Sequence, residues 1–486
     1  MTKIIIFGGA FNPIHQTHVE VALQASSKLK SEVWFDVSAK PRWKSESVLA
    51  KTQRKRLVKA AIKDYPNLKL CEEVPTFDHV TYTIDTMLYL KDKYPKYDFY
   101  FLIGTDQVNK LHKWKEIDSL VKMLQFIYVK REGYTLNLEN FERYKVKDIG
   151  LVGTMDSSSQ VRQGDFALCP LEVQKIIKEE GLYYKEILRP LLSKERYKHS
   201  LRVARLAVKI ARANKLDHKK AYIAALVHDC AKELDEKEQL ALMQEHFPDK
   251  LKENPKLHHQ YLGRIIAKRM FGIEDEEILQ AIETHTTARP KMSKLAKLVY
   301  CADKVEPGRG YDSTFLTERC LEDLEVGFAF TFLDDLRFLI KKGVKLEKES
   351  DILKLEARCL KIKEIYLLKK LVKALDERFA DNIVIIDVEK YSPLVKYYLN
   401  CEAHNERQLQ ALAYNMVEDL LAEYKYPLHH IEGRNDKNWI LVDAFDVVIN
   451  IFKGEERSNY NLEKIWHEAE QYSGEEVLNW SYTDIE

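Results

Sequence analysis

The chain has 486 residues, of which 45% are hydrophobic and 31% are charged, a composition typical of a folded globular protein with about three domains. The formal net charge of +1 excludes an overall attraction to nucleic acid or to a membrane surface, so such a partner would have to bind locally. Seven dispersed cysteines without a CxxC pair indicate reduced thiols in the cytoplasm, and the lack of an 18-residue apolar run predicts no membrane partner.

Residues 1–187 alternate between strand patterns and helix patterns. Apolar runs rich in β-branched and aromatic residues predict strands at "KIIIFGG", "EVWFDVSA", "YDFYFLIG" and "LQFIYVKR". The stretches "HVEVALQASSKLK" and "TQRKRLVKAAIKDY" have the composition of helices. This alternation predicts a parallel, doubly wound, Rossmann-like α/β sheet in the first domain.

The rest of the chain divides into a helical part and a mixed part. Residues 188–345 lose the strand signals, and apolar residues recur at three- and four-residue spacing, which predicts an all-α bundle. Residues 346–364 are rich in charge and form the predicted linker, although a solvated helix explains them equally well. Residues 365–486 combine strand-like runs with helices, which predicts a small α/β or α+β domain.

The stretch "FGGAFNPIHQTH", residues 7–18, follows the first predicted strand. Its glycines let the backbone approach a ligand, and the helix N–H groups behind them favour an anion. His15 and His18 lie three residues apart on one helix face, where they can offset charge that builds at a phosphorus centre. Positioning and electrostatics suffice for nucleotidyl transfer, in which a substrate phosphate attacks ATP and pyrophosphate leaves. For either histidine alone, a surface residue beside a glycine turn is the commoner explanation.

Together these residues resemble the signature of the adenylyltransferases, in particular the bacterial nicotinate-nucleotide adenylyltransferases. Three further segments follow in the order of that family: "TYTIDTM" (81–87), "LIGTDQVNKLHKW" (102–114) and "SSSQVRQG" (157–164). The resemblance implies transfer of AMP from ATP, with Mg²⁺, to nicotinate mononucleotide in NAD biosynthesis. It implies that ATP binds at Gly8, Gly9, Phe11, Gly104, Asp106, Ser158, Ser159 and Arg162. It implies catalysis by His15, His18 and Arg162, and nicotinate mononucleotide binding by Tyr82, Thr83 and Trp114.

Two positions depart from that family, and one aromatic has a second explanation. Thr17 stands where the family usually has glycine, and "KPRWK" (40–44) stands where it usually has P-P-H-K. Trp114 is either a core aromatic or a ring that stacks on the pyridine of the substrate, and its polar neighbours favour stacking.

A second set of residues is spread through the helical part, with gaps of about one helix and a loop. Ligands from different helices of a bundle meet in its core, so we expect these side chains to converge. Histidine and aspartate without cysteine suit iron, manganese or another first-row metal better than structural zinc. An aspartate next to a histidine can bridge two metals that polarise a phosphate. The set consists of His199, His228, Asp229, one of His258 and His259, His285 and Asp303.

This set resembles the HD phosphohydrolase superfamily. The segments "HDCAKEL", "HTTARPKMSKL" and "ADKVEPGR" are similar to the bacterial enzymes that split diadenosine tetraphosphate into two ADP, although Ala288 replaces a usual glycine. The resemblance implies two metal ions, with iron expected, a catalytic role for Asp229 and phosphate contact by Lys232; a solvated lysine and another phosphodiester substrate stay open. It favours His259 over His258, and the implied ligands are His199, His228, Asp229, His259, His285 and Asp303.

The third domain resembles the ribosomal silencing factors, which bind the large ribosomal subunit at a protein on its intersubunit face and block subunit joining. The matching residues are Gly433, Trp439, Leu441, Asp443, Phe452, Arg457, Tyr460, Leu462, Glu463 and Trp466. Asn450 stands where that family has histidine, and we interpret His429 and His430 as surface or strand residues. A structural appendage is one alternative for this domain, and a ribosome-associated regulator whose nucleotide domains act as sensors is an alternative for the whole chain.

Overall fold

The structure is a computed structural model that describes residues 2–38, 48–72, 82–131, 133–154, 156–343, 350–424, 426–483 and 485. The "KPRWK" segment, Thr81 of "TYTIDTM" and residues 346–349 of the predicted linker lie outside this part of the chain. The chain divides into two compact units, Met1–Val208 with Asp217–Thr286, and Lys209–Leu216 with Thr287–Glu486. The limits of the three predicted domains stay a prediction.

The first unit contains a six-stranded sheet in the order β3-β2-β1-β4-β5-β6, and every neighbouring pair is parallel. The predicted doubly wound α/β fold is therefore confirmed. The strands are β1 (Thr2–Gly9), β2 (Glu32–Val37), β3 (Leu68–Leu70), β4 (Tyr97–Gly104), β5 (Gln125–Arg131) and β6 (Lys147–Gly153). We did not predict β3, which has three residues, or β6, whose "KDIGLVG" sequence is weakened as a strand signal by two glycines.

Helices connect these strands and pack against the sheet. Ile4 and Ile6 of β1 share one core cluster with Met87 and Leu90, and α1 packs against β1, β2 and β6. Successive residues of a strand point to opposite faces of the sheet. Because residues 4–7 of β1 are all apolar, both faces of this strand are apolar. The helices are α1 (Gln16–Leu29), α2 (Lys51–Ile62), α3 (Thr83–Lys93), α4 (Thr105–Val108), α5 (Ile117–Met123), α6 (Leu138–Arg143), α7 (Ser158–Arg162), α8 (Leu171–Glu180) and α9 (Tyr184–Leu188).

The next part of the chain is helical, as predicted, and the described residues between 194 and 343 contain no strand. Aspartate or serine caps open several of these helices; for example, Asp217 accepts hydrogen bonds from the backbone N–H groups of Lys219 and Lys220. The helices are α10 (Lys194–Ala213), α11 (His218–Val227), α12 (Glu236–His246), α13 (His258–Phe271), α14 (Glu276–Glu283), α15 (Lys294–Val305), α16 (Thr314–Glu322) and α17 (Leu324–Lys341).

The long helix α18 (Ser350–Asp376) contains most of the predicted linker. Its described part includes most of that segment as helix, and Cys359 and Ile362 are fully buried there. The buried residues of this segment recur at helical spacing. They are too few among the charged residues to give a clear helical pattern in the sequence. The described part of this segment is therefore a helix with one buried face, and its role as a linker stays a prediction.

The second unit also contains a six-stranded sheet, in the order β12-β7-β8-β11-β10-β9. The pair β8–β11 is parallel and the other pairs are antiparallel, so the sheet is mixed. The run "NWILVDAFDVVINIF" forms two strands joined by a tight turn, in which Phe445 has a φ of 63°. The strands are β7 (Asp381–Asp387), β8 (Tyr397–Ala403), β9 (His430–Glu432), β10 (Trp439–Ala444), β11 (Val447–Lys453) and β12 (Glu470–Ser473).

Helix α18 supplies the central apolar face against this sheet. Leu367, Leu371 and Leu375 share a core cluster with residues of β8, β10 and β11. The remaining helices are α19 (Glu406–Leu412), which continues into a π-helix over Ala413–Glu418, α20 (Asp419–Glu423), α21 (Glu456–Tyr460), α22 (Leu462–Ile465) and α23 (Gly474–Leu478).

Two whole-chain expectations can be compared with the described residues. All seven cysteines are buried, and no disulfide joins any two of them. Among the helices that the structure describes, none combines the length and the apolar character needed to cross a membrane.

Candidate active sites

The first site is a cleft of about 800 Å³ at the carboxyl ends of the parallel strands. Its wall includes the ends of β1 and β4, which are neighbours in the sheet although the chain passes through β2 and β3 between them. In open α/β sheets this change of strand order leaves a crevice, and ligands bind there. The predicted residues in the wall are Gly8, Gly9, Phe11, His15, His18, Tyr82, Thr83, Gly104, Asp106, Trp114, Ser158 and Ser159.

Three glycines of this wall, Gly8, Gly9 and Gly104, lie against side chains that leave no room for a Cβ atom. A Cβ atom on Gly8 would lie 2.8 Å from the Phe101 ring, and one on Gly9 would lie 2.8 Å from the Phe11 ring. A Cβ atom on Gly104 would lie 2.6 Å from a carboxylate oxygen of Asp106. Gly8 and Gly9 therefore keep aromatic rings close to the backbone, a reason that the sequence pattern did not reveal.

His15 and His18 form a close pair at the start of α1. Their ring centroids are 3.7 Å apart, and His18 Nδ1 accepts a hydrogen bond from the backbone N–H of His15. Burial lowers the pKa of His15 to about 4, against a smaller opposing effect of the Asp156 carboxylate. Burial and the neighbouring His15 imidazole lower the pKa of His18 well below its ordinary value. Both imidazoles are therefore neutral at pH 7 and can each donate one hydrogen bond.

Thr17, the unexpected residue of the signature, is held by polar contacts. Its hydroxyl donates to an Asp156 carboxylate oxygen at 2.8 Å and lies 2.6 Å from the Thr154 hydroxyl. Thr154 donates to the same oxygen of Asp156 at 2.6 Å. The two hydroxyl groups hold the pKa of the Asp156 carboxyl below its usual range. Thr17 thus ties the start of α1 to the segment after β6.

Trp114 packs against other aromatic rings and also faces the cleft, and its stacking on a pyridine ring stays a prediction. Its ring packs edge-on against Phe101 and Phe126, each at 5.9 Å between centroids, and it also lines the cleft. Tyr82 and Thr83 stand at the start of α3 in the same wall, where the Asp85 carboxylate accepts a hydrogen bond from the backbone N–H of Tyr82 at 2.8 Å.

Arg162 takes a different position from the other predicted ATP residues. It is not among the described residues that line the cleft. Its guanidinium donates to the backbone oxygens of Asn12 at 2.7 Å and Ser158 at 3.0 Å, and to the Ser159 hydroxyl at 2.9 Å. In this arrangement Arg162 fixes the glycine turn against the start of α7.

The cleft wall includes three charged residues that the sequence analysis missed. They are Asp36 in β2, Lys51 at the start of α2 and Arg131 at the end of β5. Arg131 Nη1 lies 3.4 Å from Asp106 Oδ1, and burial raises the pKa of the Asp36 carboxyl. Their only sequence signal was proximity to strand ends and helix starts, which meet at one edge of a parallel sheet.

The second site is a buried cluster of histidines around Asp229 in the first unit. Its carboxylate oxygens lie 3.4 Å from the Nε2 atoms of three histidines and 3.8 Å from the Nε2 atom of a fourth. The three are His228, His259 and His285, and the fourth is His199. Burial alone would raise the pKa of the Asp229 carboxyl, but the adjacent imidazoles of His228 and His285 hold it well below its usual range.

The imidazoles of this cluster are oriented by backbone carbonyl groups. Nδ1 of His228 lies 2.8 Å from the Ala225 oxygen, and Nδ1 of His285 lies 2.6 Å from the Ile282 oxygen. His259 Nδ1 makes the same contact one turn upstream, at 2.9 Å. A carbonyl that accepts from Nδ1–H makes Nε2 the atom that carries the lone pair, an arrangement typical of metal-binding histidines. The donor set therefore fits divalent metal ions, because it forms two buried groups that share Asp229, and the ligand atoms of each group lie within 4.8 Å of one another.

The two adjacent histidines at the start of α13 have different surroundings. His259 Nε2 lies 3.1 Å from His285 Nε2, inside the cluster. His258 is also buried, but its ring lies near Gln239 and the Glu253 backbone oxygen instead. The position of His259 agrees with the choice made from sequence spacing.

Polar side chains surround the cluster. Arg196 Nη1 lies 3.0 Å from the Asp229 carboxylate, and Lys232 Nζ lies 3.1 Å from the ring of His259. Lys232 is therefore half-buried beside a candidate ligand and is not a solvated lysine of an open helix face. The sequence analysis missed Arg196 and Thr286, whose hydroxyl lies 3.0 Å from His285 Nε2. Asp303 belongs to the second unit, where it is buried and its Oδ1 accepts a hydrogen bond from Arg309.

Residues matched to the ribosomal silencing factors form a connected group in the second unit. Trp439 stacks on Phe452 at 5.5 Å and contacts Tyr460 at 4.7 Å. Gly433 has a φ of 75°, and a Cβ atom there would lie 2.4 Å from the Trp439 oxygen, so this position requires glycine.

Asn450, the departure from that family, has defined partners. Its side-chain oxygen accepts from Trp439 Nε1 at 3.2 Å, and its amide donates to Asn400 at 2.9 Å. Asn400 donates in turn to Glu463, which pairs with Arg457 at 2.7 Å. The buried chain of hydrogen bonds explains how asparagine is accommodated here.

Three family models match successive parts of the chain. A model described as cytidylyltransferase-like matches residues 6–164, one described as HD domain matches residues 196–308, and one described as ribosomal silencing factor during starvation matches residues 361–484. The three resemblances drawn from the sequence are confirmed by these matches.

Known relatives carry the first two of these domains together. A probable nicotinate-nucleotide adenylyltransferase/Ap4A hydrolase of Mycoplasma pneumoniae is 33% identical over 343 residues, which cover 67% of this chain and 97% of that protein. A protein of the same description from Mycoplasma genitalium is 35% identical, over 63% of this chain and 88% of its own length. A solved structure of a predicted HD superfamily hydrolase involved in NAD metabolism from Clostridium acetobutylicum is 38% identical, over 36% of this chain and 95% of that chain, with a TM-score of 0.34. The present chain belongs to the family of the nicotinate-nucleotide adenylyltransferase/Ap4A hydrolases.

Proposed function

We propose that residues 1–187 transfer AMP from ATP to nicotinate mononucleotide, in the cytoplasm, with Mg²⁺ as the counter-ion of ATP. The observation that carries this proposal is the cleft at the strand ends, which gathers twelve of the predicted site residues from segments far apart in sequence. The names of the two Mycoplasma relatives support the same activity.

The chemistry requires hydrogen-bond donors near the α-phosphate and a site for the pyridine carboxylate. His15 and His18 would donate from their neutral rings to phosphate oxygens, where charge develops as pyrophosphate leaves. Arg131 and Lys51 would balance the remaining phosphate charge. Trp114 would cover the pyridine ring, and the N–H groups that begin α3 at Thr83 would bind its carboxylate.

A paired-substrate assay tests this part of the proposal. The full chain is incubated with ATP and either nicotinate mononucleotide or nicotinamide mononucleotide, and the dinucleotide product is quantified by chromatography. We expect a strong preference for the acid, because N–H groups that bind a carboxylate are left poorly paired by an amide. Equal rates with both mononucleotides would contradict the assignment of the α3 end.

We propose that residues 188–345 hydrolyse diadenosine tetraphosphate to two ADP, with His199, His228, Asp229, His259 and His285 as metal ligands. Two first-row ions, with iron expected, would supply Lewis acidity toward a phosphate oxygen. The chain itself would orient Nε2 of His228, His259 and His285 through backbone carbonyl groups. Arg196 and Lys232 would bind phosphate oxygens at the rim of the cluster.

Product analysis after metal exchange tests the second activity. The full chain is stripped with a chelator and reloaded separately with Fe²⁺, Mn²⁺, Zn²⁺ or Mg²⁺, and the nucleotides formed are separated. We expect ADP as the nucleotide product and loss of activity in the stripped chain. Release of AMP and ATP would contradict symmetrical cleavage, and full activity without metal would exclude the metal centre.

We further propose that residues 365–486 bind the large ribosomal subunit at a protein of its intersubunit face and block subunit joining. The match to the silencing-factor model and the half-exposed Tyr460, which contacts Trp439, support it. We expect Tyr460→Ala to reduce cosedimentation with isolated large subunits. Phe338→Ala, which changes an equally exposed aromatic outside the matched range, is the control. A chain that cosediments but leaves subunit joining unchanged would favour the sensor alternative.

A further inference from the structure

The second unit contains a set of potential metal ligands that none of the proposed activities uses. The set, called here the β9–β10 cluster, consists of His429, His430 and Asp443 with Glu432 beside them. His429 Nδ1 lies 3.0 Å from His430 Nδ1 and 3.1 Å from Asp443 Oδ2. His430 Nδ1 lies 3.8 Å from the same carboxylate oxygen. Three ligand atoms from two strand ends therefore face one small volume.

The backbone fixes the relative position of these residues. His430 pairs with Asp443 in the antiparallel register of β9 and β10, and the backbone N–H of His429 donates to the Asp443 backbone oxygen at 2.8 Å. The backbone N–H of Phe445 donates to Asp443 Oδ1 at 2.9 Å, which holds the carboxylate and leaves Oδ2 toward the histidines. The Phe445 ring lies 5.3 Å from the His429 ring. The turn after β10 thus orients the carboxylate.

Glu432 determines which nitrogen of His430 carries the proton. Its carboxylate can only accept, and it lies 2.8 Å from His430 Nε2. His430 Nε2 is then the N–H donor, and the Nδ1 lone pair points toward His429 and Asp443. A carboxylate that accepts from the outer N–H of a histidine is the usual support of a metal-binding imidazole. This contact distinguishes the cluster from a chance grouping of polar side chains.

We propose that the β9–β10 cluster binds one divalent first-row metal ion of the Zn²⁺ class, through His429 Nδ1, His430 Nδ1 and Asp443 Oδ2. Bonds of about 2.0 to 2.2 Å place neighbouring donor atoms about 3.0 to 3.5 Å apart. The two shorter separations fit this range, and the third reaches it through a small side-chain rotation. Imidazole and carboxylate ligands suit Zn²⁺, Ni²⁺ and Cu²⁺. The exposed histidines leave the remaining coordination positions to water.

This site is separate from the two enzymatic activities, and it lies within the domain matched to the silencing factors, where Asp443 is also one of the matched residues. Bound metal would link the end of β9 to β10 through side chains, in addition to the short β9–β10 hydrogen-bond ladder. The β9 strand has three residues and lies at the sheet edge, so a metal link there would order an otherwise weakly held strand.

Metal counting on the full chain tests the inference. Wild-type chain and variants are dialysed against Zn²⁺, and the bound ions per chain are measured by elemental analysis. We expect His429→Ala to bind one ion fewer than the wild type, because the Asp229 cluster contributes equally to both counts. The matched control is His404→Ala, which removes an exposed histidine 3.3 Å from the Asp381 carboxylate and should leave the count unchanged. An unchanged count in His429→Ala, or an equal loss in His404→Ala, overturns the proposal.

A second variant keeps the test valid if His429→Ala folds poorly. Glu432→Gln changes an exposed side chain and removes only the carboxylate that orients His430. We expect the same number of ions at saturating Zn²⁺, with a weaker affinity on the order of tenfold, measured by competition with a chromogenic chelator. An unchanged affinity would show that Glu432 does not support a metal ligand and would overturn the proposed geometry.

Discussion

The His15–His18 pair and the His259–His285 pair are built from the same residue type but differ in what holds the rings. The ring centroids are 3.7 Å apart in the first pair and 5.0 Å apart in the second. In each pair burial is the main cause of a low pKa, which is about 4 for His15 and about 2 for His259. His15, His18 and His259 are therefore neutral at pH 7.

The difference lies in the partner of Nδ1. In the second pair both Nδ1 atoms contact backbone oxygens one turn upstream, so both Nε2 lone pairs face the Asp229 carboxylate. In the first pair His18 Nδ1 accepts from a backbone N–H, so its Nε2 must carry the proton and act as a donor. Backbone contacts thus prepare one pair to accept a metal and the other to donate to a phosphate.

The largest expected effect comes from removing the charge at the centre of the second pair. Asp229→Asn keeps the shape of the side chain but removes a negative charge next to four histidines. We expect hydrolysis of diadenosine tetraphosphate to fall on the order of 10³-fold or more, together with the bound metal. The adenylyl transfer rate of the same chain should stay unchanged, which elemental analysis and the two assays would establish.

Asp249→Asn is the matched control for this variant, since Asp249 is exposed and lies on a short helical turn of the same unit. It should retain both metal content and hydrolysis. A fully active Asp229→Asn chain would break the comparison, because the two histidine pairs would then no longer differ in metal dependence.

His18→Ala tests the donor role of the first pair. Loss of a preorganised donor at a phosphate usually costs on the order of 10²- to 10³-fold in rate, and we expect this loss in kcat for adenylyl transfer. Hydrolysis of diadenosine tetraphosphate should not change. The exposed His218 at the start of α11 provides the control, since His218→Ala removes an imidazole outside the cleft. An equal loss in both variants would assign the effect to folding.

The low pKa of His15 predicts an acid sensitivity that the Asp156 carboxylate only partly offsets. His15 binds a proton at the ordinary pKa of 6.5 in the unfolded chain and near 4 in the folded chain. The contribution of His15 to the unfolding free energy is therefore fully present above pH 6.5 and is lost as the pH falls toward 4. Between pH 7 and pH 4.5 the unfolding free energy of both chains should fall, and we expect the fall in His15→Gln to be about 2 to 3 kcal/mol smaller than in the wild type. Calorimetry would follow the unfolding transition that ATP displaces, and parallel pH curves for both chains would contradict the low pKa.

The same comparison explains how much the sequence could predict. Strand runs such as "YDFYFLIG" and the order of motifs predicted the parallel sheet and most of the cleft, because buried strands need apolar residues and strand ends meet at one edge. Lys51 and Arg131 escaped notice, since a lone charged residue carries no periodic signal. The contact between His228 and the Ala225 backbone oxygen could not be predicted either, because every residue has a backbone carbonyl and the sequence does not indicate which one a side chain contacts.

Arg162 and α18 mark two other limits of sequence reasoning. A motif placed Arg162 near the cleft, but only coordinates reveal that its guanidinium donates to three oxygens of the surrounding turn. The charged segment before residue 365 had two interpretations with equal support, because a one-sided helix with few buried residues has the composition of a linker.

The smallest effect is expected at Thr17, which supports the first pair from outside. Two threonine hydroxyl groups donate hydrogen bonds to the Asp156 carboxylate. Thr17→Val preserves the side-chain shape but removes one of these hydroxyl groups, and Thr154→Val removes the other. Each change should lower the unfolding free energy by about 1 kcal/mol, since Asp156 is only partly buried and water replaces part of the lost contact. Because both hydroxyl groups also contact each other, the double variant should differ from the sum of the single effects by about 0.5 kcal/mol or more. Strictly additive losses in denaturant unfolding would show that the two threonines act independently, and Thr17 would then be a tolerated substitution with no part in a shared network.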